Sequence, residues 1–216
     1  MGEEGGWNLY GFVQNSPIDF IDPDGHETFI DINGIVLCDP YNQNDDGIYQ
    51  FASDGWGPPA PIGESYFWNT FEKGSKIFIN LDKTEDFFNL AKSTEWKLNV
   101  IVAMQSRSQK MYDVKVQWGY KPTDGVMLNG KYATVRDVGN ALAGLNARIG
   151  EASFEQFQRM AGALHQGQGI PGLIDAYFGK TFGPPPAYGE EMLQYRMSII
   201  GYNELYNSYL AWKTKK

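Results

Sequence analysis

The chain has 216 residues, 42% of them hydrophobic and 15% aromatic, with a formal net charge of −8. That composition supports a packed core and argues against disorder throughout. No run approaches the roughly 18 apolar residues that a membrane span needs, so no stable membrane insertion is expected. The single cysteine, Cys38, excludes an internal disulfide and a cysteine-built zinc site.

The charge is unevenly spread. Residues 1–94 carry 4 Lys/Arg against 16 Asp/Glu, and residues 95–216 carry 14 against 10. The second half is mildly basic and closes on Lys213-Thr214-Lys215-Lys216. This keeps a nucleic-acid partner open for it, with ordinary surface variation as the plain alternative. The acidic start Met1-Gly2-Glu3-Glu4 lacks the positive region of a signal peptide.

In chain order, Leu9, Gly11, Val13, Ile18 and Phe20 alternate with polar residues, break at Asn15-Ser16-Pro17, and stop at the turn Asp22-Pro23-Asp24-Gly25. Two such strands are marginal alone, which marks 1–25 as the edge of a larger β-structure or a linker. Thr28, Ile30 and Ile32 then alternate, Asn33-Gly34 supplies a primed turn, and Ile35-Val36-Leu37 returns, predicting a hairpin. The oxygen-rich stretch Asp39–Gly47 lacks the ligand spacing of an EF-hand and its closing Glu, and reads as a solvated loop. Residues 55–63 read as a rigid connector.

Beyond it the pattern turns helical. Phe67, Trp68 and Phe71 predict a helix over 64–73, and Thr84 with Glu85 and Asp86 caps a short helix through Ala91. Residues 96–116 read as a helix, with a strand as the live alternative because of "NVIVA". Residues 136–149 and 153–164 predict two helices, the second capped by Ser153, and "GIPGLIDAYFG" a further short one. "TFGPPPAYG" breaks the chain. A last helix presents Met192, Tyr195, Ile199, Tyr202, Tyr206 and Tyr209 as a core-facing stripe of period near 3.5. The expected architecture is α+β, mainly α, with a small N-terminal β-hairpin followed by a helical domain. Its expected divisions are 1–25, 26–63 and 64–216.

Familiar catalytic signatures are absent: no nucleophile elbow, no phosphate-binding loop, no His-Glu-x-x-His. With His26 in the presumed linker, His165 stands alone, and a two-histidine ribonuclease mechanism is not expected. Residues 118–152 instead gather Lys121, Lys131, Arg136, Asp137, Asn140, Asn146, Arg148 and Glu151 among glycines. Polar groups around glycines suit a site where backbone approaches a ligand, and a helix opening near Arg136-Asp137 would offer N–H groups to an anion such as phosphate. The plainer reading is a loop with Asp137 as a helix cap and Gly139, Gly144 and Gly150 serving close packing.

Two resemblances bear on function. "NLYGFVQNSPIDFIDPDG" resembles the close of the core in rearrangement-hotspot (RHS) and YD-repeat proteins, matching at Asn8, Tyr10, Asn15, Pro17, Asp22, Pro23 and Gly25, with Phe12 at a tyrosine position. In that family the core is a β-shell around a variable C-terminal toxin, so the resemblance implies that 1–25 is a remnant of the shell and the rest is cargo. It also makes Asp22 a candidate part of an aspartate-dependent self-cleavage. The second covers roughly 110–203. Trp118-x-Tyr120-Lys121, Asp137-x-Gly139-Asn140-x-x-x-Gly144, Ala161-Gly162 and the Tyr188–Asn203 stretch look like the bacterial polymorphic toxin type 44 domain. Gly119 and Val138 depart from its pattern, and Ala141-Leu142 stands where an aromatic/His pair is frequent, so no imidazole role carries over there.

These resemblances imply a delivered effector used between bacteria, acting in the target cell's cytoplasm, with a cognate immunity protein and an RHS shell as partners and RNA as substrate. The expected chemistry is metal-independent RNA cleavage without a cofactor. Asp137 or Glu151 would be the base, Lys121 and Arg136 the charge stabilisers, Asn140 an orienting group, and His165 or Tyr120 the acid, with Trp118, Tyr120 and Arg148 binding substrate. The alternatives are a periplasmic glycosidase cutting peptidoglycan through Asp137 and Glu151, or a non-enzymatic interaction module.

Overall fold

The computed structural model describes residues 28–37, 46–52, 59–67, 70–95 and 113–215. They fall into two compact units: residues up to Leu81 together with Thr123–Thr134, and Asp82–Pro122 together with Val135–Lys216. The expected arm 1–25, His26, the acidic loop 39–45 and the expected helix up to residue 112 lie outside the described residues. The protein is mixed α+β and mainly helical.

In the first unit the chain turns at residues 31–34, but not by the expected primed pair: the Gly34 N–H donates to the Asp31 carbonyl at 3.0 Å, so Ile32 and Asn33 are central, and Gly34 with φ of 81° follows as the left-handed residue. Asp31 Oδ1 accepts hydrogen bonds from the backbone N–H of Asn33 and of Ile35, both at 2.8 Å. The returning arm is held by single bridges, Ile30 to Val36 and Ile35 to Lys76. The predicted hairpin is therefore a turn without a full ladder. Strand β1 (Thr28–Ile30) pairs in parallel with β2 (Gly47–Gln50), which pairs antiparallel with β3 (Ala60–Glu64). β3 is the outer strand, the place in a sheet where Pro61 is tolerated. A second sheet runs β4 (Ile77–Asp82), β5 (Gly125–Leu128), β6 (Lys131–Thr134) in that order. Asn129 and Gly130 join β5 to β6 with φ of 52° and 85°, the signature of a type I′ turn. Ile30, Val36, Ile48, Phe71, Ile77 and Tyr132 form the buried core.

The helix expected over 64–73 does not form among the described residues. β3 reaches Glu64, the Ser65 N–H donates to the Asp46 carbonyl at 2.6 Å, and the Tyr66 N–H donates to the Tyr132 carbonyl at 3.1 Å. Phe71 sits in the sheet core instead. Its four-residue spacing from Phe67 suits a helix, but backbone bonding to strands distant in sequence decides the outcome. The expected connector likewise carries a strand at its end.

The second unit is helical: α1 (Thr84–Lys92), α2 (Val114–Trp118), α3 (Val135–Ile149), α4 (Phe154–His165), α5 (Gly169–Tyr177), α6 (Met192–Ile200), a π-helical segment (Gly201–Leu205) and α7 (Tyr206–Lys213). Ser153 caps α4 by accepting from the Gln156 N–H at 3.1 Å. At α1 the cap position is Lys83, without a side-chain cap bond; Thr84, expected as the cap, is the first helical residue and donates its N–H (2.8 Å) and hydroxyl (2.5 Å) to Asp82 Oδ1.

The terminal stripe holds in part. Tyr202 and Tyr209 are buried as expected, Tyr195, Ile199 and Tyr206 are half-buried, and Met192 is 51% exposed. Met197, Gly201 and Leu205, outside the expected stripe, are buried as well, and the π turn at 201–205 interrupts the regular period.

Candidate functional site

The residues with the most chemistry gather where α3 begins. Chain geometry brings them together: the Arg136 N–H donates to the Pro122 carbonyl at 3.0 Å, so the segment leaving α2 lies against the first turn of α3. Lys121 and Arg136 flank that bond; Arg136 is exposed and Lys121 is exposed as well. Asp113 caps α2 by accepting from the Lys115 N–H at 3.1 Å, and Gly119 ends it with φ of 71°. Trp118 and Tyr120 therefore leave the helix end half-buried. Lys83, from the start of α1, places its ammonium 5.4 Å from the Trp118 ring centroid and 5.9 Å from that of Tyr120, and pairs with Asp86 at 2.7 Å.

Within α3, Asp137 is buried in the first turn and is only 9% exposed. Asn140 follows three residues later, on the same face of the helix. Its side-chain nitrogen is enclosed and has no hydrogen-bond partner. Its carbonyl accepts from the Ser198 hydroxyl at 3.4 Å. A buried amide donor without a partner costs about 1–3 kcal/mol, so Asn140 is held in place at the expense of stability. The first turn of α3 also carries the partial positive charge of the helix dipole. Lys83 with the rings of Trp118 and Tyr120, and Lys121 on the segment that reaches the first turn of α3, thus bring cations and rings to the helix start that carries exposed Arg136, buried Asp137 and Asn140.

The remaining expected residues lie elsewhere. Helical rise places Ile149 about 18 Å beyond Asp137, and Glu151 lies further still. Glu151 has φ of 58° and donates its N–H to the Arg148 carbonyl at 3.1 Å, which makes it the left-handed residue that stops α3. Paired glycosidase carboxylates stand about 5–10 Å apart, so Asp137 and Glu151 are too distant to act as such a pair. Arg148 is at the far end of α3, its guanidinium 5.2 Å from the ring centroids of both Tyr202 and Tyr206. His165 lies exposed in the last turn of α4. Asn146 accepts from the Thr94 hydroxyl at 2.9 Å inside the unit, a packing role.

Two features escaped the sequence reading. Lys83 is an isolated cation in an acidic stretch, and nothing local announces that it returns to Trp118. The second is a buried polar pair. Gln158 is 1% exposed, and its side-chain amide and the Glu190 Oε2 atom are both enclosed. Burial pushes the Glu190 carboxyl up to about 7; the neighbouring Gln158 amide lowers it and the charge of Glu191 adds to the rise. Glu190 lies in the turn-rich stretch between α5 and α6. That stretch runs along the α4 face formed by Gln158, Gly162 and Gln166: the Tyr188 carbonyl crosses Gly162, and Gln166 Nε2 donates to the Gly189 carbonyl at 2.9 Å.

Among the described residues, no group of three or more His, Cys, Asp or Glu is placed to hold a metal ion, and no helix is long and apolar enough to cross a membrane. No protein-family model, curated protein or solved structure matches the chain.

Proposed function

We propose that this chain is the effector region of an RHS polymorphic toxin and that it cleaves RNA without a metal at the start of α3. The observation that carries the reading is the start of α3, where buried Asp137, Asn140 on the same face and exposed Arg136 meet the segment that bears Lys121, Tyr120 and Trp118, the two rings lying beside Lys83. The sequence resemblances supply the biological setting: a shell preceding the toxin, a neutralising immunity protein in the producing cell, and action in the cytoplasm of the target.

In this reading Asp137 takes the proton from a ribose 2′-OH as that oxygen attacks the adjacent phosphorus. The bond to the 5′-oxygen breaks, leaving a 2′,3′-cyclic phosphate and a 5′-hydroxyl. Tyr120, beside Lys83, gives the leaving oxygen its proton, with His165 as the other candidate acid. Lys121 and Arg136 offset the charge gathering on the phosphorane, Asn140 orients the phosphate, and Trp118 offers a face to a base. Arg148 is assigned to substrate further along.

The test is incubation of the full chain with total RNA and, separately, with peptidoglycan, each with and without EDTA. RNA cut to cyclic-phosphate ends in the presence of EDTA is the expected result. Intact RNA, or soluble muropeptides in its place, overturns the reading.

A further inference from the structure

The far end of the second unit carries a second concentration of cations and rings. Tyr202, Tyr206, Tyr209 and Trp212 follow one another at steps of four, three and three through the π segment and α7. Each ring has a cation near it. Arg148 serves Tyr202 and Tyr206 at 5.2 Å each, Lys92 lies 5.9 Å from Trp212, and Lys213 lies 6.0 Å from Tyr209. Four such contacts fall on one short helical stretch, with cations drawn from α1, α3 and α7.

The rings are fixed from beneath. Phe88 packs on Tyr209 at 5.7 Å and on Trp212 at 5.6 Å, and those two stack at 5.7 Å with an interplanar angle of 27°. Tyr206 and Trp212 stay half-exposed, while Lys92, Arg148, Lys213 and Lys215 are exposed. Glu95 is occupied by Lys213 at 2.6 Å and by the Tyr209 hydroxyl. From Leu205 to Lys216 there is no acidic residue. Cations beside two half-exposed rings, Tyr206 and Trp212, backed by the buried rings of Tyr202 and Tyr209, match a strand that alternates phosphates with bases.

We propose that this face, from Arg148 across Tyr206 to Trp212 and Lys92, is a track for single-stranded RNA, distinct from the cluster at the start of α3. The inference rests on the ribonuclease reading for its choice of strand. The bases stack on Tyr206, Trp212 and the Arg148 plane, and the phosphates meet Lys92, Lys213 and Lys215. The track accounts for Arg148 lying far from Asp137: it holds the substrate strand away from the scissile bond.

The experiment uses the full chain and a fluorescein-labelled 2′-O-methyl oligouridylate, which cannot be cut by 2′-OH attack. Binding is followed by anisotropy between 50 and 200 mM salt. The expected result is salt-dependent binding. The triple substitution Lys92→Gln, Lys213→Gln, Lys215→Gln is expected to flatten the slope of log affinity against log salt by about 2, at about 0.7 for each phosphate that is no longer neutralised. Trp212→Leu is expected to weaken binding about tenfold or more with the slope unchanged; because Trp212 also packs on Phe88, its fold is checked by circular dichroism, and the lysine variants stand independently. Polyglutamate bound as tightly as the oligonucleotide would overturn the track in favour of a surface for acidic protein. RNA cleavage by the wild-type chain with binding untouched in the triple variant overturns the track alone. Binding that behaves as expected in a chain that does not cleave RNA upholds the track and removes the ribonuclease reading.

Discussion

Gly144 on α3 and Ser198 on α6 meet backbone to backbone: a Cβ on Gly144 would collide with the Ser198 carbonyl. Gly201 does the same against the Ala141 carbonyl. Neither obstacle is a flexible side chain, so the helices would have to separate. Gly144→Ala is expected to destabilise the chain by about 1–3 kcal/mol, read as a lower urea midpoint by far-ultraviolet circular dichroism. Gly139, on the same helix, has nothing within 4 Å of its Cβ position. Gly139→Ala should instead raise the midpoint, gaining up to about 1 kcal/mol from helix propensity. Equal effects at the two positions would refute the close-contact account.

Asn140 separates function from stability. Its enclosed amide nitrogen has no partner, so Asn140→Ala removes an unsatisfied donor and should leave the urea midpoint unchanged or higher. RNA cleavage should nevertheless drop, by about 10-fold or more. Asp137→Asn should cost about 10²–10⁴ in rate, the usual contribution of a general base. Glu151 is the contrast: with φ of 58°, Glu151→Gly should stabilise the end of α3 by a few tenths of a kcal/mol up to about 1 and spare cleavage. An inactive Glu151→Gly variant with intact fold would move the base to the other end of the helix.

Glu190 predicts a stability that depends on pH in an unusual direction for an acid. Its carboxyl is raised by burial to about 7 from an ordinary 4.5. The folded chain therefore holds a proton that the unfolded chain releases between those values. Its contribution is full below 4.5 and is lost as pH rises through about 7. The groups that act on it are the Gln158 amide, which lowers it, and the Glu191 charge, which raises it. Glu190→Gln, neutral and of equal size, should abolish the decline and be more stable than wild type at pH 7.5. Urea midpoints at pH 5, 6, 7 and 8 measure this; parallel profiles for the two chains would refute it.

Local signals explain what the sequence made legible. Ser153 caps α4 because its hydroxyl reaches the Gln156 N–H within one turn, and the α1, α3 and α5 positions follow from periodicity and nearby glycines. That Arg136, Asp137 and Asn140 open a helix was legible for the same reason. Tyr66 lay beyond this reach, since it bonds Tyr132 and Leu128 more than sixty residues away. Asn129-Gly130 was a missed local signal: a primed-turn pair was read as part of a polar, glycine-rich ligand stretch. The π turn at Gly201 left no mark on composition, although Tyr202 and Tyr209 of the expected stripe are buried within and beyond it. Glu151 misled because a carboxylate near Asp137 in sequence is far from it along a rigid helix.

Glu95 joins α1 to α7, and acid should undo that tie. Burial alone would raise its carboxyl, but hydrogen bonds from Lys213 and Tyr209, with the charges of Lys213 and Lys92, outweigh it and hold the group below its ordinary 4.5. A depressed folded value means that the stabilisation is present above 4.5 and is lost as pH falls through the folded value. The gap in urea midpoint between wild type and Glu95→Gln should therefore be constant from pH 8 to 6 and close as pH drops below 4.5. Tyr209 supplies the independent readout. Burial, then the hydrogen bond and charge of Glu95, push its phenol above the ordinary 10. Absorbance at 295 nm should show this hydroxyl keeping its proton until the chain unfolds in alkali. In Glu95→Gln it should ionise earlier while the helices remain intact. A phenol that titrates alike in both chains would mean that Glu95 and Tyr209 do not share a proton in solution.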